Sequence, residues 1–248
     1  MNDLKQYRRV LLKVSGESLA HAGHTGIDAE PLLSLAREIM VAAETGTQIA
    51  VVVGGGNIVR GATLAAQGII PKTSADFMGM LGTNINGVAL LEALGHLNAP
   101  AALLSALRVP RVADPFVRRV ALGHLEAGRI LILAGGTGNP LCTTDTAAAL
   151  RAAELECEVI LKATKVDGVY TDDPITNPEA TRYDSLTYQQ AINERLGIMD
   201  LTAFSMCMDH EIPILVFDYK IAGHIRDAVS GKRIGTLVHA DESGAADQ

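Results

Sequence analysis

Short apolar segments that alternate with segments of helical periodicity restrict the fold of this chain more than any other feature. Gln48–Val53 and Ile130–Ala134 contain unbroken apolar runs, which are typical of strands buried on both faces of a parallel sheet. Residues 28–44 place apolar side chains at helical spacing and are followed by Gly46, a common helix stop. Because alternating strands and helices build parallel sheets covered by helices, the sequence predicts an α/β fold with a mostly parallel central sheet.

The remaining predicted elements continue this alternation. Strands are predicted at Arg9–Val14, 159–161 and 212–217, and helices at 84–97, 116–127, 144–156 and 221–230. Pro174 and Pro178 predict an exposed loop at 172–182. A length of 248 residues suits one large domain better than two small ones. We therefore expect a single domain over residues 7–239 and a flexible polar tail over 240–248.

Composition and charge argue against several functions. The chain has a net charge of −7, no tryptophan and 4% aromatic residues. Nucleic acid is therefore not expected as a partner, because it requires basic patches or stacking platforms. The three cysteines are far apart, which indicates neither a zinc site nor disulfides. No signal peptide is evident, and no apolar stretch approaches the ~20 residues of a membrane span, so we expect a cytoplasmic protein without a membrane partner.

Three glycine-bearing turns that follow predicted strands are the strongest functional signal. They contain Ser15-Gly16, Gly54-Gly55-Gly56 and residues 135–146, which read Gly-Gly-Thr-Gly-Asn-Pro-Leu-Cys-Thr-Thr-Asp-Thr. Glycines let backbone N–H groups approach a ligand, and a helix N-terminus adds about half a positive charge. Because the carboxyl ends of parallel strands meet at one edge of a sheet, these turns predict an anion site that suits phosphate.

Two known phosphate-binding fingerprints are absent from the sequence. Gly231-Lys232 is followed by Arg233 rather than by the Ser or Thr of a Walker motif. A dinucleotide-binding Gly-x-Gly-x-x-Gly pattern would require glycine in place of Val59 or Leu141. A phosphate would therefore be bound by another scheme, and a nicotinamide-dependent oxidoreductase is disfavoured.

Five charged residues near these turns each have a functional and an ordinary structural interpretation. Lys13 and Arg60 are either phosphate-binding cations or surface charges. Asp145 lies in the first turn of a predicted helix, where the helix dipole stabilises any acid. Asp76 and Asp200 are equally suited to cap helices. The residues alone leave both interpretations open.

Six blocks of sequence carry a resemblance to a known family. They lie at residues 11–17, 54–61, 136–140, 143–145, 161–170 and 173–174. Together they resemble the amino-acid kinase superfamily and, within it, the uridylate kinase branch, over about residues 7–239. The Gly-Thr-Gly-Asn-Pro block at 136–140 and the Lys-Ala-Thr-Lys-Val-Asp-Gly-Val-Tyr block at 162–170 are similar to that branch in particular. Other branches keep Val-Asp-Gly but phosphorylate carboxylates or carbamate.

The resemblance implies a three-layer αβα sandwich whose N-terminal half binds the phosphoryl acceptor and whose C-terminal half binds ATP. It implies three catalytic residues, namely Lys13, Asp145 and Asp200. The implied ATP-binding residues are Lys13, Val14, Ser15, Gly16, Gly56, Arg60, Thr164, Tyr170 and Asp173. The implied UMP-binding residues are Gly55, Asp76, Thr137, Gly138, Asn139, Pro140, Leu141, Cys142, Thr143 and Thr144. Mg²⁺ is the implied cofactor, with no direct protein ligand assigned to it.

The resemblance also implies an activity and its regulation. The activity is ATP- and Mg²⁺-dependent phosphorylation of UMP to UDP in pyrimidine nucleotide biosynthesis, by a homohexamer that UTP inhibits. Activation by GTP stays open, because residues 91–96 differ from the Arg- and His-bearing helix of many relatives. Leu141-Cys142 replaces a common Phe-Phe pair, which alters packing around the acceptor. Two alternatives are a kinase of the same fold acting on a carboxylate or carbamate, and a non-catalytic nucleotide- or oxyanion-binding protein.

Overall fold

The computed structural model describes residues 6–174 and 176–241. Nine strands within these residues form a single sheet. The strands are β1 (Arg9–Val14), β2 (Gln48–Val53), β3 (Ala101–Ser105), β4 (Asp114–Pro115), β5 (Ile130–Ala134), β6 (Val159–Thr164), β7 (Ser185–Thr187), β8 (Ile214–Asp218) and β9 (Thr236–His239). Their spatial order is β4-β3-β5-β2-β1-β6-β8-β9-β7. Every neighbouring pair is parallel except β8 and β9. Residues 242–248 of the predicted tail lie outside the described residues.

Helices cover both faces of the sheet. They are α1 (Ala29–Ala43), α2 (Gly61–Ala66), α3 (Lys72–His96), α4 (Arg118–Glu126), α5 (Thr144–Glu154), α6 (Tyr188–Asn193), α7 (Leu201–Asp209) and α8 (His224–Val229). Buried residues of α1, α3 and α8 form a core against one face. Buried residues of α4, α5, α6 and α7 form a core against the other. The predicted α/β fold with a mostly parallel sheet in three layers is therefore confirmed.

The order of the strands reverses at β1, in the middle of the sheet. β2 lies on one side of β1 and β6 lies on the other, and ligands of open α/β sheets bind at such a switch point. The register places Lys13 of β1 directly beside Lys162 of β6. Because side chains alternate along a strand, Lys13 shares a face with Leu11, whose core includes α5. Both lysines therefore project toward the layer that contains α5.

Local sequence patterns predicted most of these elements but misplaced several boundaries. β1, β2 and β5 have the predicted bounds, and α1 ends before Gly46 as expected. The helix predicted at 84–97 was wrong at its start, since α3 already begins at Lys72. The apolar residues Phe77, Leu81 and Ile85 in its first half are exposed. The spacing of apolar residues in the sequence therefore does not mark a buried helix face in this part of α3. Strands β3, β4, β7 and β9 were not predicted.

Helix α3 is longer and more apolar than the sequence analysis expected of any segment. By length and composition alone, its 25 residues are apolar enough to cross a membrane. Half of its most apolar stretch is buried inside the protein, however, and a core helix of a globular domain passes the same test. Leu90, Ala93 and Leu94 of α3 pack in the core on one face of the sheet, so its apolar character is explained by that packing.

Truncation of Phe217 on β8 tests how strongly the core holds the sheet together. Its side chain is fully buried, and we expect Phe217→Ala to lower the free energy of unfolding by about 3–5 kcal/mol through lost burial and a cavity. Chemical denaturation measures the change. Ile69→Ala is the control, because Ile69 is 84% exposed and its truncation should change stability by less than about 0.5 kcal/mol. Equal effects of the two variants would contradict this description of the core.

Candidate active site

The first two glycine turns pack directly against each other at the carboxyl edge of the sheet. A Cβ atom on Gly16 would lie 2.2 Å from Asn57 Oδ1 and 2.7 Å from the Gly54 carbonyl oxygen. A Cβ atom on Gly55 would lie 2.5 Å from the carbonyl oxygen of Gly79 on α3. Glycine is therefore required by close backbone approach. The turns after β1 and β2 meet as the sequence predicted.

A buried pair of asparagines holds these turns in place. Asn86 on α3 donates to the Gly54 carbonyl at 2.7 Å and to Asn57 Oδ1 at 2.7 Å. Asn57 in turn donates to the carbonyl of Gly26 at 2.7 Å. Buried amides that satisfy each other in this way rigidify their surroundings. The turn after β2 is thus fixed both to α3 and to the loop that precedes α1.

A buried carboxylate lies between two lysines at the centre of the edge. Asp145, in the first turn of α5, has its Oδ1 atom 2.7 Å from Lys13 Nζ. Its Oδ2 atom lies 2.9 Å from Lys162 Nζ. The three side chains are only 13–15% exposed. Lys13 and Asp145, both expected to be catalytic, are therefore in contact, and Lys162 joins them.

Burial and charge act in opposite directions on the pKa values of this cluster. Burial by itself would raise the pKa of Asp145, but the ammonium groups of Lys13 and Lys162 outweigh it and hold this pKa below the usual value. For Lys162, burial lowers the pKa, and the nearby carboxylate of Asp145 only partly offsets it. The two lysines therefore favour the ionised form of Asp145, whereas burial disfavours the charged form of Lys162.

Asp200 joins the start of α7 to the start of α5. Its Oδ1 atom accepts from the Ala203 N–H at 3.0 Å and so caps α7. Its Oδ2 atom accepts from the hydroxyls of Thr143 at 2.6 Å and Thr146 at 3.0 Å, and these two threonines form the capping box of α5. The structural interpretation of Asp200 is thus correct, and the same contacts join it to the two threonines that lie on either side of Asp145 in the sequence.

A cleft of about 480 Å³ opens on one side of the cluster. It is lined by seven of the ten residues predicted to bind UMP, namely Gly55, Asp76, Thr137, Leu141, Cys142, Thr143 and Thr144. Gly138, Asn139 and Pro140 do not line it. Gly56 and Arg60, predicted to contact ATP, line this cleft as well.

Asp76 fixes the far wall of this cleft. Its Oδ2 atom accepts the Leu141 N–H at 2.9 Å and lies 3.1 Å from Lys72 Nζ. Leu141 has a φ of 66°, which is uncommon for a bulky side chain. The hydrogen bond that Asp76 accepts from Leu141 therefore supports the turn that carries the exposed thiol of Cys142.

A second cavity of about 270 Å³ lies beside β6 and β8. Thr164 and Tyr170 line it, as does Lys162, whereas Lys13, Val14, Ser15, Gly16 and Asp173 do not. The Thr164 hydroxyl donates to the Val166 carbonyl at 2.7 Å, and the Tyr170 hydroxyl donates to Asp167 at 2.7 Å. The predicted ATP-binding residues are therefore distributed over the two cavities and the turn between them.

Three charged residues of this region were not assigned from the sequence. Glu17 pairs with Arg60 of the first cleft and, at 2.7 Å, with Lys165. Lys162 contacts Asp145 and also donates to the Ile198 carbonyl. A signal for Lys162 was available, because it is a charged residue that continues the buried run 159–161 of β6. Glu17 and Lys165 gave no comparable signal.

Two cavities flank one buried lysine–aspartate–lysine cluster at the switch point of the sheet. This arrangement defines an α/β protein with a ligand site at the carboxyl ends of its strands. The family model described as the amino acid kinase family matches residues 8–218. The chain belongs to that family.

Individual relatives agree with this assignment. A uridylate kinase of Dichelobacter nodosus is 48% identical over 95% of this chain and 97% of its own length. The chloroplastic uridylate kinase PUMPKIN of Arabidopsis thaliana is 48% identical over 94% of this chain and 69% of its own length. The crystal structure of a UMP kinase from Bacillus anthracis superposes with a TM-score of 0.92 at 35% identity and covers 96% of this chain and 98% of that one.

The two neighbouring glycines of the β2 turn provide a matched test of its packing. We expect Gly55→Ala to destabilise the protein by about 1–3 kcal/mol, since its Cβ would collide with backbone atoms of α3. A Cβ atom on Gly56 meets nothing within 4 Å, so Gly56→Ala should change the free energy of unfolding by less than about 0.5 kcal/mol. Thermal and chemical unfolding compare the two. A smaller loss for Gly55→Ala than for Gly56→Ala would rule this packing out.

Proposed function

We propose that this chain is a nucleoside monophosphate kinase that transfers the γ-phosphoryl group of ATP to UMP and produces UDP and ADP. The observation that carries the proposal is 48% identity with the Dichelobacter nodosus uridylate kinase over nearly the full length of both chains. The geometry supports it, because two cavities lie on either side of one cationic cluster. This activity belongs to pyrimidine nucleotide biosynthesis.

The 480 Å³ cleft is the proposed UMP site. Gly55, Asp76 and the turn 137–144 surround it or support its wall. Thr143 and Thr144 lie at the N-terminus of α5, where backbone N–H groups and hydroxyls favour a phosphate. Asn139, which does not line the cleft, donates its N–H to Thr137 Oγ1 at 3.1 Å, so its proposed role is to hold Thr137 in position.

ATP is proposed to extend from the second cavity to the first cleft. Thr164, Tyr170 and Asp173 would bind its nucleoside end, because Thr164 and Tyr170 line the second cavity and Asp173 adjoins it in sequence. Gly56 and Arg60 lie among the residues of the first cleft, so they would meet the phosphate end of ATP where it faces UMP. Residues 13–16, which are the last two residues of β1 and the first two after it, lie at the carboxyl end of β1, between β2 and β6.

The chemistry of this transfer requires positive charge and alignment. The phosphate of UMP is mostly dianionic at pH 7, since its second pKa is about 6, so a general base is not needed. The main obstacle is repulsion between two polyanions, which enzymes of this kind overcome by positioning and electrostatic stabilisation. Lys13 would stabilise the charge of the transferred group, Asp145 would orient Lys13, and Asp200 would hold the start of α5 through Thr143 and Thr146.

Mg²⁺ is proposed to arrive with the triphosphate and to neutralise part of its charge. The described residues contain no group of three or more potential metal ligands among His, Cys, Asp and Glu. The carboxylate oxygens of Asp145 and Asp200 face lysines, hydroxyls and a backbone N–H. These contacts fit a cation held mainly by nucleotide phosphates, as is usual for Mg²⁺ in kinases.

Regulation and assembly are part of the proposal. UTP shares uracil and phosphate with UMP and would inhibit by occupying the first cleft. A cytoplasmic homohexamer is proposed, because α3 exposes the apolar side chains of Phe77, Met78, Leu81 and Ile85, which a second copy could cover. Steady-state rates measured with and without UTP or GTP test whether either nucleotide is an effector. Light scattering measures the mass of the assembly in solution. A monomer at assay concentrations would exclude the hexamer.

A coupled ADP-release assay tests the proposed reaction. We expect turnover with UMP, ATP and Mg²⁺, and far lower turnover with CMP. Equal rates with CMP would reject the acceptor assignment. Turnover with glutamate, aspartate or carbamate instead of UMP would identify a different kinase of this family, and ATP binding without any ADP production would identify a non-catalytic binding protein.

Replacement of Lys13 tests the cationic centre. We expect Lys13→Ala to lower kcat at least ~100-fold, because it removes a charge that stabilises the transition state. Circular dichroism verifies the fold of the variant. Lys232→Ala is the matched control, since Lys232 is an exposed lysine that pairs with Asp227, and it should retain the wild-type rate. A folded Lys13→Ala variant with an unchanged kcat would contradict the catalytic role and leave Lys13 only its structural contact with Asp145.

A further inference from the structure

Glu17 forms an ion-pair bridge between the two cavities, and the nucleotide sites above give neither Glu17 nor Lys165 a role. The Oε2 atom of Glu17 accepts from Lys165 Nζ at 2.7 Å, and its Oε1 atom pairs with Arg60 Nη2. Glu17 and Arg60 line the first cleft. Lys165 lies between Thr164 and Val166, which both line the second cavity. The bridge therefore stands where the proposed path of ATP passes from one cavity to the other.

The backbone holds Glu17 at this position. Glu17 belongs to a short 3₁₀ helix, Gly16–Leu19, that follows β1. Its N–H donates to Ser15 Oγ at 3.3 Å, and the Ser18 hydroxyl donates to the Ser15 carbonyl at 2.6 Å. Gly16 has no space for a Cβ atom, so this turn is packed tightly. The side chain of Glu17 can therefore change partners while its backbone stays in place.

Both ion pairs are formed in the ligand-free protein but are easily exchanged. The side chains of Glu17, Arg60 and Lys165 are 36–63% exposed. The hydrogen bond from Lys165 and the charges of Lys165 and Arg60 outweigh burial and lower the pKa of Glu17, which favours its ionised form. Exposed ion pairs add little net stability, because solvent screens them. An anion can therefore replace the carboxylate with little loss of stability of the fold.

Two cations that converge on one carboxylate can equally bind a phosphate group. Carboxylate and phosphate oxygens accept the same charge-assisted hydrogen bonds from lysine and arginine. Lys165 has three N–H donors and Arg60 has five. Since a terminal phosphate group carries more negative charge than one carboxylate, a triphosphate can displace Glu17 from both cations.

We propose that Lys165 binds the triphosphate of ATP, and that Glu17 occupies the place of one phosphate group between Lys165 and Arg60 until ATP arrives. This inference rests on the proposed function. Binding of ATP exchanges both ion pairs for contacts with phosphate oxygens, and no covalent bond changes in this exchange. Glu17 thus lowers the affinity for anions that cannot displace it, because its charge repels them and its partners are occupied.

Removal of charge from the two partners should change affinity in opposite directions. We compare the wild type with Lys165→Met and Glu17→Gln by calorimetry, with a non-hydrolysable ATP analogue and adenosine as ligands. Lys232→Met is the control for the lysine, since Lys232 is 52% exposed against 43% and also lies 2.7 Å from one carboxylate. Glu156→Gln is the control for the glutamate, because Glu156 also pairs with an arginine but precedes the amino end of β6 and lines neither cavity.

For Lys165→Met we expect affinity for the ATP analogue to fall at least ~10-fold, as for loss of a charged hydrogen bond. For Glu17→Gln we expect it to rise at least ~3-fold, because the competing carboxylate is gone, and high salt should reduce this rise by screening. Affinity for adenosine should change less than ~2-fold in both variants, since adenosine carries no charge for these groups to act on. Both controls should match the wild type. If Lys165→Met does not fold, Lys165→Gln carries the same comparison.

Other results would overturn the inference. Unchanged affinity for the ATP analogue in Lys165→Met would leave an ordinary surface ion pair. Unchanged or lower affinity in Glu17→Gln would show that Glu17 does not compete with phosphate. Failure of the proposed function looks different, because the wild type would then not convert UMP to UDP, while opposite affinity changes in the two variants would still show a triphosphate at this ion pair.

Discussion

The ionised carboxylate of Asp145 between two buried ammonium groups is the interaction on which the rest of the site depends. It joins β1 near the start of the chain to α5 and β6, which follow much later in the sequence. Without this negative charge, Lys13 and Lys162 would repel each other in a region poor in water. Asp200 adds α7 to the same assembly through the threonines that cap α5. One carboxylate thus links both halves of the chain at the centre of the sheet.

The topology of the sheet explains why two cavities meet at this carboxylate. Strand order reverses at β1, so the segments after β2 and β5 lie on one side and those after β6 and β8 on the other. Each side forms its own cavity. Gly16 and Gly54 approach each other closely, so the turns between the two cavities pack together without intervening side chains. Such an arrangement suits the alignment of two anionic ligands, which is the main requirement of the proposed phosphoryl transfer.

The walls of the first cleft show how the local sequence adapts the shared fold. Leu141 adopts a left-handed conformation that costs energy for a bulky residue, and Asp76 compensates by accepting its N–H. Cys142 is exposed next to it. Strain that is held by a specific hydrogen bond is characteristic of ligand-binding turns. The Leu141-Cys142 segment, which replaces the expected Phe-Phe pair, therefore depends on a tertiary hydrogen bond for its conformation.

Local pattern by itself determined the buried strands β1, β2 and β5, the helix α1, the three glycine turns and the candidate residues Lys13 and Asp145, because periodicity and turn chemistry act over a few neighbouring residues. It did not determine that α3 begins at Lys72, that Lys162 shares Asp145 with Lys13, or that Glu17 pairs with Arg60 and Lys165. These features depend on strand order and register, which bring together residues as far apart as Glu17 and Lys165. Only the tertiary structure decides such contacts, since their energy comes from burial and charge pairing between distant segments.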